Sequence, residues 1–307
     1  MKFKNILVVL NPENEKQYAL ARAVRLIKEQ KNETKVKITA LLTVYDLSYE
    51  MSALLSSDER QEMHKSAIEH QRQAVNYYLD KYADPEIEFN AQIVWNNNEA
   101  EAIHEEIEKN KYDLVVKYTK AEESLSSLIF TPIDWQLLRK STVPVLMVRD
   151  GDWKHQRRIL IAVNVSGEQE AQDQFNRELV ETGMELAEKL NRGNVHLVAA
   201  YPAAPINVAL DLPKFSLSNY DQTIRGQHLL NMKALRQEFG INEDHTHVLE
   251  GFPEDVIPKV AKEIEAELVI LGTVGRTGLS AALLGNTAEH VISKLNCNLL
   301  AVKPSGQ

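Results

Sequence analysis

The residues of this 307-residue chain whose types and spacing most invite chemistry are Gly272, Gly275 and Gly285, followed directly by Asn286 and Thr287. An apolar run ending at Leu271 precedes them, and Asn286-Thr287-Ala288-Glu289 reads as a helix start. A strand, a glycine-rich loop and a helix N-terminus form an anion site, because free backbone N–H groups and the helix dipole converge there. Glycines at 272 and 275 allow positive φ and close approach of a phosphate or ribose. Asn286 with Glu289 three residues later fits a capping box, which leaves the N–H groups of Thr287 and Ala288 and the Thr287 hydroxyl facing an anion. Arg276 offers charge, or stands as a solvated surface side chain. Taken alone, this loose glycine spacing also fits a surface loop with turn glycines.

Other residue sets are weaker. His245-x-His247 on a strand would place both imidazoles on one face, with His196 on a neighbouring strand, and three such groups could ligate zinc. Strand-edge histidines are ordinarily solvated, so no metal is assigned. Cys297, the single cysteine, lies in an apolar run and reads as a buried thiol. Trp95, Trp135 and Trp153 read as packing residues. No Walker A lysine motif, nucleophile elbow or HExxH motif occurs. A formal charge of -9 argues against a general nucleic-acid binder and against adsorption to an anionic membrane. No apolar stretch approaches the ~20 residues of a membrane span, and Ile6–Leu10 is too short for a signal-peptide core. The expected location is cytoplasmic.

The elements that must position the glycine loop recur twice. In the first half, strands are expected at Ile6–Leu10, Lys35–Tyr45, Glu86–Val94, Leu114–Val116 and Val143–Val148, with helices between them. The second half repeats them at Ile159–Asn164, Val195–Ala200, His245–Leu249, Leu268–Leu271 and Asn298–Val302. Leu114-Val115-Val116 falls on Leu268-Val269-Ile270 at an offset of 154 residues, and Val145–Val148 falls on Leu299–Val302 at the same offset. An offset of 153 brings Asn11 over Asn164. Alternating strands and helices imply an α/β chain of two parallel sheets with right-handed crossovers. The expected domains are 1–152 and 153–307, joined by a short polar linker. Open parallel sheets bind ligands at the carboxyl ends of their strands, so Asn164, Val165 and Ser166 would line one crevice with Leu271 and Gly272.

With these residues placed after the fourth strand, the pattern Gly272-x2-Gly275-x9-Gly285-Asn286-Thr287 resembles the ATP-binding signature of the universal stress protein family, tandem-domain type. Glu250-Gly251-Phe252-Pro253 is similar to that family's glycine-x-proline turn. The resemblance implies two five-stranded sheets of the adenine nucleotide alpha hydrolase-like kind, strand order 3-2-1-4-5. It implies their pairing as a pseudo-dimer through Val143–Val148 and Asn298–Val302, with a further homodimer open. It also implies a cytoplasmic stress-response role and ATP binding, with Mg²⁺ if the triphosphate is bound. Carried over, Asn164 stands where an aspartate contacts adenine, Ala162 and Val163 flank the base, and Ala200 offers backbone contacts. Leu271, Gly272, Val274, Gly275, Arg276, Gly285, Asn286, Thr287 and Ala288 form the loop holding ribose and phosphates.

The first half departs from that pattern. Tyr118, Ala121 and Thr131 replace the three glycines, Pro132 falls on Asn286, Glu122 and Glu123 add negative charge, and Asn97 and Glu99 replace Gly251 and Pro253. The expectation is that only the second half binds an adenine nucleotide and that the protein is not an enzyme. Two alternatives stay open. One is slow ATP hydrolysis or nucleotidyl transfer at the same site. The other is a scaffold or sensor whose first half takes an apolar molecule or a protein partner.

Overall fold

The computed structural model describes residues 3–28, 35–50, 56–122, 127–151, 157–167, 169–190, 194–203, 217–273 and 284–304. The chain divides into two compact units. One comprises Lys2–Lys120 with Ile129–Gly151; the other comprises Asp152–Gln307 with Ala121–Leu128 and Met1.

In the first unit, β1 (Asn5–Val9) leads to α1 (Tyr18–Lys28) and β2 (Val36–Val44). The short α2 (Leu47–Glu50) and long α3 (Ser57–Asp80) then precede β3 (Ile87–Trp95), α4 (Glu99–Lys109) and β4 (Leu114–Tyr118). A small hairpin, β5 (Ala121–Glu122) and β6 (Ser127–Leu128), comes before α5 (Pro132–Lys140) and β7 (Val145–Val148). Parallel pairings run β3-β2-β1-β4-β7. Ile6–Val9 and Leu114–Val116 are buried, as strands covered on both faces by helices must be. The helix starts follow local chemistry: Ser56 caps α3 with Glu59 completing a capping box, and Asn98 caps α4.

The second unit repeats the plan with β8 (Ile159–Ala162), α6 (Glu170–Lys189), β9 (Val195–Tyr201), α7 (Leu217–Glu238) and β10 (Thr246–Glu250). It continues with α8 (Pro253–Glu263), β11 (Leu268–Gly272), α9 (Asn286–Ser293) and β12 (Asn298–Val302). Its parallel order is β10-β9-β8-β11-β12. Numbered within each unit, both orders are 3-2-1-4-5, so the switch point falls between the first and fourth strands.

Two details depart from the sequence reading. Between β2 and β3 a short extra helix, α2, precedes the long α3. The hairpin β5–β6, with Ala121 paired to Leu128 and Glu122 to Ser127, was not expected. That hairpin belongs to the second unit, where the Leu128 N–H donates to the Leu295 carbonyl at 2.9 Å.

Candidate functional site

The carboxyl ends of β8 and β11 adjoin, with Ile161 in register with Ile270, so Ala162 and Gly272 stand at one edge of the sheet. Beyond Ala162 the chain turns. The Ser166 N–H donates to Asn164 Oδ1 at 3.3 Å, an Asx turn that commits the amide oxygen and leaves the NH₂ group for any further partner. Asn176, 2% exposed on α6, clasps the same residue. Its Oδ1 accepts the Asn164 N–H at 3.1 Å and its Nδ2 donates to the Asn164 carbonyl at 2.7 Å. Asn231 of α7 adds a bond from Nδ2 to the Val165 carbonyl at 2.8 Å. The turn is thus held from two helices. Ala200 lies one residue inside the end of β9, opposite Leu249, and Val163 donates its N–H to Val198 at 3.0 Å.

The first unit makes the same clasp with different residues. Gln17 Oε1 accepts the Asn11 N–H at 3.0 Å and Gln17 Nε2 donates to the Asn11 carbonyl at 2.7 Å, while Glu13 donates its N–H to Asn11 Oδ1 at 2.9 Å. Asn11 and Asn164 therefore share a turn-forming role that needs no ligand. The clasp escaped the sequence reading because Gln17 follows its asparagine by six residues and Asn176 by twelve.

At the loop, two expectations are corrected. Gly272 is the last residue of β11 and is not among the positive-φ residues. Its missing side chain answers to packing: a Cβ there would lie 2.3 Å from Phe175 Cε1 on α6. The capping box at Asn286 and Glu289 does not form. Gly285 is the N-cap (φ -67, ψ 140) and Asn286 is the first helical residue. The reason lies in the backbone: Gly285 donates its N–H to Thr273 at 2.9 Å, and its carbonyl accepts the Glu289 N–H at 3.0 Å. Thr273, buried, is in turn tied by its N–H to the Val302 carbonyl at 3.0 Å. The two ends of the glycine loop are pinned together at the sheet edge. Val274, Gly275 and Arg276 lie outside the described residues.

Because glycine carries no capping side chain, the first-turn N–H groups of Asn286, Thr287 and Ala288 have no acceptor among the described residues. Asn286 and Thr287 are exposed and Ala288 is partly exposed. Among the described residues, the amino end of α9 is a donor array without acceptors, carrying about half a positive charge.

The equivalent end of α5 is closed. Thr131 Oγ1 accepts the Asp134 N–H at 3.2 Å, and Asp134 Oδ2 accepts the Thr131 N–H at 2.8 Å, with Pro132 at a position that needs no N–H. Asp134, 1% exposed, also holds Lys117 Nζ 2.9 Å from its other oxygen, and Glu99 lies 4.0 Å from the same ammonium. Burial pushes the Glu99 carboxyl above its usual range; Lys117 pulls it down and Asp134 pushes it up. Tyr118, at the Gly272 position, stacks on Tyr18 with ring centroids 5.2 Å apart. The first unit thus supplies its own anion and its own ring where the second leaves donors open.

Away from this edge, the three histidines of the sequence reading do come together. His196 stacks on His245 at 4.2 Å and its Nδ1 lies 3.3 Å from His247 Nε2. His245 belongs to a 3-10 turn rather than to β10. Among the described residues, no group of three or more His, Cys, Asp or Glu side chains is arranged to hold a metal ion. Cys297 is buried, Trp95 packs on His64 and Tyr45, and Trp135 packs on Phe130. Among the described residues, no helix is long and apolar enough to cross a membrane.

The model of the "Universal stress protein family" matches twice, over residues 2–149 and 156–303. The chain belongs to the universal stress protein family. A "Universal stress protein E homolog" from Haemophilus influenzae is 81% identical over 305 residues, covering 99% of each chain. "Universal stress protein E" from Escherichia coli K12 is 48% identical over 302 residues, covering 98% of this chain and 94% of the relative. Among solved structures, a universal stress protein from Archaeoglobus fulgidus aligns with a TM-score of 0.63 at 15% identity, covering 99% of this chain and 100% of that one. A functionally unknown Pseudomonas aeruginosa protein aligns with a TM-score of 0.71 at 24% identity, covering 98% and 93%. These two likenesses bear on the fold.

Within the universal stress protein frame, the glycine-x-proline turn has a clear structural basis. Gly251 adopts φ 137 and donates its N–H to Tyr201 at 2.9 Å, while Pro253 opens α8. A side chain at 251 would be strained by that φ whatever space it had.

Proposed function

We propose that this universal stress protein acts in the stress response as a nucleotide-binding regulator whose second half takes an adenine nucleotide, ATP-like and with Mg²⁺ when the triphosphate is bound. The observation that carries the reading is the open amino end of α9, set beside the pinned loop at the β8–β11 edge, against the self-capped α5 of the first half. Thr287 and the N–H groups of Asn286, Thr287 and Ala288 suit the phosphates, with Gly275 and Arg276 completing the loop. Asn164, through its uncommitted NH₂, and the backbone near Ala162, Val163 and Ala200 suit the base. Ser166, bound into the Asx turn, sits beside the sugar. The fit has one restriction. Phe175 fills the space above Gly272, so close approach to the backbone falls to the loop beyond Thr273.

Among the described residues, none at this edge stands as a nucleophile or general base, which favours binding over turnover. The first half binds no ATP in this reading, because Pro132 supplies no N–H at the start of α5, Thr131 Oγ1 takes that of Asp134, and the Asp134 carboxylate would repel phosphate. Extraction and chromatography of the purified protein, with a thermal shift on adding Mg-ATP, tests the proposal. Co-purifying adenine nucleotide, or a shift abolished by Gly275→Asp, supports it. Absence of both contradicts it. Phosphate release that persists through purification and is lost in Gly275→Asp would favour the enzymatic alternative.

A further inference from the structure

Helix α7 joins the parallel strands β9 and β10, so it runs back from the carboxyl edge of the second sheet toward the amino edge. Asn231 marks its level, since that side chain reaches the Val165 carbonyl in the turn beyond β8. His228 stands about one turn nearer the amino end of the helix, and therefore farther out on the ligand side of the edge. Its ring lies beside Tyr201, the last residue of β9, with centroids 5.7 Å apart. The side chain is 6% exposed.

The polar atoms around this turn are unequally committed. The amide oxygen of Asn164 accepts the Ser166 N–H, that of Asn176 accepts the Asn164 N–H, and that of Asn231 accepts from Gln227 Nε2 at 3.0 Å. His228 differs. Its Nδ1 donates to the Ile224 carbonyl at 2.9 Å, and because a carbonyl only accepts, Nδ1 carries the hydrogen. Nε2 of the neutral ring is then an acceptor, and among the described residues it has no hydrogen-bond partner. A buried acceptor without a donor costs stability unless something fills the role. Taking the crevice to hold an adenine nucleotide, as proposed above, we infer that His228 selects the base: Nε2 accepts a hydrogen bond from the exocyclic amino group of adenine, while Asn164 Nδ2 donates to a ring nitrogen. Guanine carries a carbonyl oxygen in place of that amino group, which would set two acceptors against each other.

The test is titration of the full-length protein with Mg-ATP and with the Mg complex of purine riboside triphosphate, which lacks only the amino group. The parent is expected to prefer Mg-ATP by about three- to ten-fold, the worth of one neutral hydrogen bond. In His228→Phe, which keeps a ring but no acceptor, the preference should fall below about two-fold. The same collapse is expected in the smaller His228→Leu, with the melting temperatures of both variants recorded beside the titrations. Equal binding of the two nucleotides by the parent would overturn the role of His228 and leave the nucleotide site standing. So would a packing role alone, which weakens both nucleotides together and keeps their ratio. No binding of either nucleotide by the parent would instead overturn the nucleotide reading, and base selection by His228 with it.

Discussion

Lys117 Nζ lies 2.9 Å from Asp134 Oδ1, with the two side chains 13% and 1% exposed, at the place where the other half of the chain presents Leu271 and Ala288. This buried pair shuts the amino end of α5. Removing Asp134 leaves the Lys117 ammonium with only Glu99, 4.0 Å away, whereas Met and Asn in place of the pair keep most of the volume without the charges. Asp134→Ala is expected to destabilise the protein by about 3–5 kcal/mol, and Lys117→Met/Asp134→Asn by clearly less. Urea denaturation of the single and double variants checks this; equal losses would show that the pair is not coupled.

The packing role of Gly272 can be separated from a role in ligand approach. Gly272→Ala forces a methyl group to within 2.3 Å of Phe175 Cε1 unless the ring moves. A cost of about 1–3 kcal/mol is expected, with partial recovery in Gly272→Ala/Phe175→Leu. If the double variant melts no higher than the single one, the ring is not what requires glycine.

Asn176 holds both backbone groups of Asn164 from a buried position. Asn176→Ala leaves an N–H and a carbonyl without that partner, at about 1–3 kcal/mol. Hydrogen exchange at the Asn164 and Ser166 amides should accelerate by more than at amides within β12. Uniform acceleration would mean that the clasp has no local effect.

The histidine cluster is expected to give the protein an acid response. Burial, then His245, His247 and Arg158, hold His196 down at about 4; burial likewise lowers His247, against the pull of Glu263. The folded values lie below the unfolded one, so the unfolded chain takes up protons first. The stabilisation from keeping the imidazoles neutral is present above about pH 6.5, declines as pH falls, and is lost once pH passes about 4. The melting temperature of His196→Asn should therefore fall less than that of the parent between pH 7 and pH 5. Parallel slopes would remove His196 from the acid response.

The strands and their doubling were legible because aliphatic runs such as Ile6–Val9 and Leu268–Leu271 are buried on both faces and carry that demand in every position. Strand order came from the family resemblance rather than from the runs themselves. The glycine loop was legible as a pattern but not as a set of jobs. Gly272 serves a ring that lies 97 residues earlier in the chain, and Gly285 is the cap because its backbone is tied to Thr273. Neither tie leaves a mark at fixed sequence spacing. The Gln17 and Asn176 clasps were hidden for the same reason, since unequal loops carry the two amides to one spatial position.

The most direct measurement of the central claim is isothermal titration of Mg-ATP into the full-length protein and into Gly285→Asp. The N-cap backbone at 285 suits any residue, and an aspartate there would accept a first-turn N–H of α9 as Thr131 Oγ1 does in α5, and would add negative charge where phosphate is to sit. The parent is expected to bind one nucleotide per chain, and Gly285→Asp to bind at least about ten-fold more weakly with an unchanged or higher melting temperature. Binding of equal strength in both proteins, or none in the parent, would contradict the account.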